Sequence, residues 1–214
     1  MTADNRTAVE YWNDRYRESS RIWSGKPNVE LVNQVTDLKP GSALDLGCGE
    51  GADAIWLAEK GWQVTGVDVS SVALERAAKH AEEAEVAQQI DWQRHELGKT
   101  FPHGTFDLVS AQFLHSTVVL PREAILRSAA EAVAPGGVLL IEGHLDWPDA
   151  AKHGQHADHP EIHFPTPAEV ITDLELDDGR WEILVSRDHG REQVVDGKLL
   201  KRRDCTVKAR RLTA

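Results

Sequence analysis

Three glycines at alternate positions, Gly47, Gly49 and Gly51, lie in the run LDLGCGEGAD, with Asp45 ahead of them and Asp68 closing the next apolar stretch, QVTGVDVS. Without side chains, such glycines let the backbone turn sharply and lie close against a ligand. A carboxylate at the end of the following strand can accept hydrogen bonds from a ribose diol, so on spacing alone the loop could hold a dinucleotide. A second set of reactive residues follows later. Five of the chain's ten histidines, His144, His153, His156, His159 and His163, fall in HLDWPDAAKHGQHADHPEIHF. Imidazole titrates near neutrality and also ligates metals, so this stretch offers a general base, a metal site, or a wet loop.

These residues need a scaffold, and the pattern supplies one. Residues 8 to 20 read as a helix with Trp12 and Tyr16 on one side, and Pro27 fits the first turn of a second helix through Val29, Leu31, Val32 and Val35. SALDLG (42–47) reads as a buried strand and ADAIWLAEKG (52–61) as a helix ending at Gly61. QVTGVDVS (63–70) is a second strand, and Ser70 or Ser71 can cap the Ala-rich helix after it. QIDWQRHEL (89–97) and TFDLVSAQF (105–113) read as the next strands, and PREAILRSAAEAVAPGG as a helix closed by Pro135 and two glycines. VLLIEG (138–143) is apolar throughout, as a central parallel strand is. Strands alternating with helices imply an α/β layered fold. After Gly143 the rhythm breaks: a polar insertion to about 165, a short helix near 167–175, and strands at 181–188 and about 198–210.

The bulk figures narrow the function classes. A chain of 214 residues suits a single domain, 1–214. A formal net charge of -11 argues against a phosphate-binding nucleic-acid surface, and the basic terminal run KLLKRRDCTVKARR reads as a solvated edge strand. Cys48 and Cys205 are the only cysteines, which excludes a disulfide framework or a structural zinc cluster of cysteines. The N-terminus has no basic region followed by an apolar core, and no run of 18 apolar residues occurs; the expectation is a cytoplasmic protein with no membrane partner.

The ordered set of glycine loop, VDVS acid, FDLV strand and PGG turn over about 40–143 resembles the class I S-adenosylmethionine-dependent methyltransferase family, of small-molecule type. The resemblance implies a Rossmann-like, seven-stranded, mostly parallel sheet with helices on both faces. It divides the chain into an N-terminal helical lid (1–38), a cofactor core (42–143), a polar substrate-pocket insertion (144–166), and a C-terminal helix with antiparallel edge strands (167–214). It implies S-adenosylmethionine as cofactor, held by Asp45, Gly47, Gly49 and Gly51, by Asp68 with Val69 at the ribose, by Glu96 at the adenine with His95 one register away, and by Gln112. EYWNDRYRES with Trp23 resembles the leading region of thiopurine- and tellurite-type members, which makes Tyr16 and Trp23 lid residues over the cofactor.

Open α/β sheets bind ligands at the carboxyl ends of their strands, where His144 falls. His144 is therefore the candidate general base, with Asp146 to orient it, and His115, Trp147 and Phe164 as substrate-pocket residues. Gly154 and Pro160 interrupt the histidine run, so a continuous metal-bearing helix is not expected. A magnesium requirement would draw instead on Asp146, Asp149 or Asp158. The polar insertion with one Trp suits a small polar hydroxylated acceptor. An overall likeness to methyltransferases acting on the 1-OH of 3-O-methylated mannosides implies a methylated mannoside. Alternatives are a phenol, thiol or metalloid acceptor, an RNA or protein methyltransferase (disfavoured by SAQFLH after FDLV), and a non-catalytic cofactor-binding protein. Oligomeric state is not readable.

Overall fold

Neighbouring residues along each strand serve opposite sides of one sheet. Leu44, Leu46, Val109, Ala111, Leu139 and Ile141 join one buried cluster, while Ala43, Leu108, Val138 and Leu140 join another. This is the period-2 alternation of a strand buried on both faces. In the computed structural model, which describes residues 6–146, 163–195 and 198–213, the strands are β1 (Ser42–Leu46), β2 (Gln63–Asp68), β3 (Ile90–Arg94), β4 (Phe106–Gln112), β5 (Val133–His144), β6 (Trp181–Val195) and β7 (Lys198–Arg211). They form one seven-stranded sheet in the order β3-β2-β1-β4-β5-β7-β6. The first five pair in parallel, and β7 enters antiparallel between β5 and β6.

The helices are α1 (Ala8–Arg17), α2 (Val29–Val35), α3 (Ala52–Glu59), α4 (Ser71–Glu83), α5 (Arg122–Glu131) and α6 (Pro167–Asp173). Ile125, Leu126 and Ala129 of α5 and Val170 and Leu174 around α6 cover the first face; Leu31 and Val35 of α2, Ala54, Leu57 and Ala58 of α3 and Ala81 of α4 cover the second. Local chemistry fixes their starts. Thr7 and Glu10 form a capping box on α1, Ser70 caps α4 by accepting from the Ala73 amide, and Thr166 and Glu169 form a second box on α6. This is the Rossmann-like, single-domain α/β architecture expected from the sequence.

Several boundaries differ from expectation. Pro27 lies outside α2, whose N-cap is Asn28, so it shapes the approach to the helix and not its first turn. β3 ends at Arg94, which leaves Glu96 in the following loop. The helix before β5 ends at Glu131. Pro135, Gly136 and Gly137 then belong to an irregular start of β5, where the register jumps from Phe106↔Val133 to Leu108↔Val138. Proline has no amide to give the ladder, and Gly136 takes a φ of +81°, so the extra residues bulge out. The last two strands are longer than the sequence pattern suggests, because they pair with each other beyond the edge of β5.

Candidate active site

A cavity of about 1060 Å³ opens at the carboxyl ends of β1, β2, β4 and β5. Its floor is the glycine loop. Gly47, Gly49 and Gly51 have φ of +70°, +55° and +86°, the left-handed region that glycine enters without penalty. A Cβ on Gly49 would sit 2.9 Å from the Tyr16 hydroxyl, and one on Gly51 would sit 2.7 Å from the Trp92 ring. Asp68, at the end of β2, accepts from the Gly49 amide at 3.0 Å and the Ser70 amide at 2.8 Å, which ties the loop to the second strand.

Three carboxylates stand together here. Asp45, Asp53 and Asp68 are all buried, and burial raises the pKa of each; at Asp45 the neighbouring Asp53 and Asp68 charges raise it further. Asp53 accepts from the Asn28 amide and side chain, whereas Asp45 Oδ2 is buried with no hydrogen-bond partner among the described residues. Gln112 Nε2 donates to Ser110 Oγ at 3.0 Å, and its Oε1 is buried with no partner among the described residues. Two orphaned acceptors lining a cavity beside clustered negative charge call for a ligand with positive charge and polar hydrogens. S-adenosylmethionine, with an ammonium, a sulfonium and ribose hydroxyls, fits that demand.

The N-terminal segment roofs the cavity, and the loop's own acids hold it down. Glu50 is 5% exposed; its carboxylate accepts from the Ile22 and Trp23 amides at 3.1 and 3.2 Å and pairs with Arg76 at 2.9 Å. Tyr16 is buried, its hydroxyl accepts from Trp23 Nε1 at 3.0 Å, and burial raises its pKa. Tyr16 and Trp23 line the cavity, together with Val69 and Glu96. Glu96 holds Lys99 at 2.7 Å from its loop, and His95 lines the same wall. Glu50 was not singled out from sequence, although an acid inside a glycine loop is the signal that could have found it.

At the far end of the cavity, β5 and β7 build a different chemistry. His144, the last residue of β5, pairs in register with Asp204 of β7, and its Nδ1 lies 2.8 Å from Asp204 Oδ1. Asp204 is fully buried and its second oxygen accepts from Arg191 Nε at 2.5 Å; these hydrogen bonds and charges hold its carboxyl below the usual range against the effect of burial. A carboxylate only accepts, so Nδ1 carries the hydrogen and Nε2 presents a lone pair. Arg202 Nη1, a donor only, faces that lone pair at 3.2 Å.

The ring is clamped between Phe113 (centroids 4.6 Å) and His115 (5.3 Å). Phe113 has a φ of +52°, rare for a residue with a side chain; the reversal folds the chain after β4 so that Phe113 and His115 meet His144. His115 Nε2 accepts from the His144 amide at 3.1 Å, and burial, with Arg122 nearby, lowers its pKa to about 3. His115 is therefore a neutral wall and not a second base.

The structure corrects the orienting group. Asp146 accepts from the Arg203 amide at 3.2 Å and does not line the cavity, because strand alternation aims Asp204 at the imidazole instead. Phe164 packs edge-on against His115 and His144 from outside the cavity lining. Trp147, Asp149, Asp158, His153, His156 and His159 lie outside the described residues. Among the described residues no group of three His, Cys, Asp or Glu side chains could hold a metal ion, and no helix is long and apolar enough to cross a membrane. Sequence reasoning missed Asp204 and Arg202, whose strand had read as a solvated edge, and Arg191, which lies beyond the strand expected at 181–188.

Residues 43–137 match the family described as a methyltransferase domain. The 2-heptyl-1-hydroxyquinolin-4(1H)-one methyltransferase of Mycobacteroides abscessus is 32% identical over 147 residues, 65% of this chain and 64% of that protein. A ubiquinone biosynthesis O-methyltransferase of Idiomarina loihiensis is 37% identical over 114 residues, 52% of this chain and 45% of that protein. The chain thus spans less than two thirds of the length of these relatives. The magnesium protoporphyrin IX methyltransferase of Synechocystis PCC 6803, solved with SAH bound, superposes with a TM-score of 0.65 at 18% identity, covering 94% of this chain and 96% of that one; this likeness concerns the fold.

Proposed function

We propose that this protein, whose residues 43–137 match a methyltransferase domain, belongs to the class I S-adenosylmethionine-dependent methyltransferases and methylates an oxygen of a small, polar, hydroxylated acceptor, with His144 as general base. The observation that carries the reading is the His144–Asp204 pair, whose imidazole lines the cavity. A thiol acceptor needs little help to attack, whereas an alcohol needs a base as it attacks.

Asp45, Asp68, Gln112 and the glycine loop would hold the cofactor, with Tyr16 and Trp23 closing over it. When bound, S-adenosylmethionine would supply an electrophilic methyl on a sulfonium, with a neutral thioether as the leaving group. His144 Nε2 takes the proton of the acceptor hydroxyl as the new O–CH3 bond forms. Asp204 stabilises the imidazolium that results, and Arg191 keeps Asp204 ionised and in place. His115 and Phe113 hold the ring plane and help to exclude water, which keeps the oxygen of the acceptor as the nucleophile.

Hydrogen-bonding side chains at the acceptor end favour a polar acceptor, and the 1-OH of a 3-O-methylated mannoside is the first to assay. The free thiols Cys48 and Cys205 agree with a reducing, cytoplasmic site of action. The test is label transfer from isotopically labelled S-adenosylmethionine to mannosides, catechols, phenols and thiols, with magnesium or with chelator. Transfer to hydroxyl acceptors that falls in His144→Ala supports the reading. Transfer to thiols alone, or binding of cofactor with no turnover, overturns it.

A further inference from the structure

Arg202 sits against the proposed base, with Asp204 and Asp146 as the neighbouring opposite charges. It lines the cavity, its Nη1 donates to the Nε2 lone pair of a neutral histidine, and its Nε is buried with no hydrogen-bond partner among the described residues. A guanidinium has five N–H donors and no acceptor, and unmade bonds from it are costly when buried. Burial also lowers the Arg202 pKa, with Arg191 adding to the effect. The contact with His144 occupies the lone pair that the proposed base must use. Once an acceptor hydroxyl takes that lone pair, Arg202 Nη1 needs a second oxygen beside it.

The two nitrogens are 3.2 Å apart, close to the spacing of oxygens on neighbouring carbons. One oxygen can then face Nε2 while its neighbour accepts from the guanidinium. Arg191, whose Nε is committed to Asp204 and whose guanidinium lies 4.8 Å over the Phe113 ring, backs the pair.

We propose that Arg202 is a specificity residue that selects acceptors carrying a second oxygen on the carbon adjacent to the one methylated, as in a vicinal diol, a 2-hydroxy acid or an ortho-dihydroxy ring. In the free protein the same arginine caps the base. The proposal rests on the O-methyl transfer reading above, but its recognition element can be measured without turnover.

The experiment uses matched acceptors that differ only in the neighbouring oxygen: catechol against phenol, and a pyranose against its 2-deoxy analogue. Label transfer and calorimetric binding to protein saturated with S-adenosylhomocysteine are measured for the wild type, Arg202→Gln and Arg202→Lys. A bond from a charged donor predicts a roughly 10- to 100-fold preference for the member with the second oxygen. Arg202→Gln should remove most of that preference and Arg202→Lys should restore part of it, with S-adenosylhomocysteine affinity unchanged. Nitrogen-15 spectra of labelled histidine should show the His144 Nε2 resonance move in Arg202→Gln. Equal handling of both members by the wild type, or a preference that survives Arg202→Gln, overturns the proposal. If nothing is methylated yet binding shows the preference and its loss in Arg202→Gln, the methyl-transfer reading falls and the recognition role stands.

Discussion

His144 and Asp204 are register partners across the β5–β7 ladder, 2.8 Å apart at Nδ1 and Oδ1 although 60 positions separate them in the chain. The pair exists because of strand register. Each residue is held where its neighbours on the ladder put it, and a one-residue slip would turn Asp204 to the other face.

This geometry sets the first expectation. Asp204→Asn should lower kcat by about 100-fold or more, because an amide can favour the other imidazole tautomer, whereas Asp146→Asn should change kcat by less than about threefold. Steady-state kinetics with any accepted hydroxyl compound, alongside S-adenosylhomocysteine titration to show an intact cofactor site, decides the matter. Comparable losses in the two variants would remove Asp204 from its orienting role.

The glycine loop separates binding from stability. Gly51→Ala places a Cβ 2.7 Å from Trp92 Cη2 and 2.9 Å from Ala77 Cβ at a φ of +86°, so unfolding free energy should drop by roughly 2–4 kcal/mol. Gly49→Ala presses on Tyr16 and Trp23, which line the cavity, and should weaken cofactor binding by about tenfold or more. Urea unfolding and calorimetry on both variants measure these two losses.

A buried acid predicts a pH slope. Glu142 is 1% exposed, accepts from Thr206 Oγ1 at 2.7 Å, and lies 2.8 Å from His189 Nε2; burial pushes its pKa from 4.5 to about 8. The folded state therefore holds a proton that the unfolded state releases, and stability contributed below pH 4.5 is lost as pH rises through about 8. Glu142→Gln keeps the shape without the charge, so its stability relative to wild type should grow between pH 5 and pH 8.5. Thermal unfolding at both values tests this; a difference independent of pH would contradict it.

Glu50 fastens the roof. Glu50→Ala removes the acceptor for the Ile22 and Trp23 amides and strands Arg76, so those amides should exchange hydrogen at least tenfold faster. Hydrogen exchange read by mass spectrometry over residues 19–28 checks it; unchanged protection there would show that other contacts hold the segment.

The cofactor half of this site was legible because its parts are close in sequence and have few physical substitutes. Glycine enters the φ values at 47, 49 and 51 at the least steric cost, and Asp68 had to follow an apolar strand. The orienting carboxylate was not legible. Asp146 is two residues from His144, but which acid meets the imidazole depends on how β7 threads between β5 and β6, and KLLKRRDCTVKARR reads equally well as a solvated edge. Arg202 was missed for the same reason, and Arg191 because its strand runs past 188, where the apolar pattern ends. The early end of β3 and the irregular start of β5 reflect pairing geometry, which apolar periodicity does not encode.

The insertion of β7 between β5 and β6 also orders events in time. β1 to β4 and the glycine loop draw only on residues up to 112, whereas the acceptor wall waits for a strand beginning at Lys198 to find the open edge of β5. Closing so long a loop is slow relative to local pairing. Pulse-labelled refolding should show amides of β1, β2 and β4 protected before those of β7, so that the glycine-loop end of the cavity forms while the His144–Asp204 pair is still unmade.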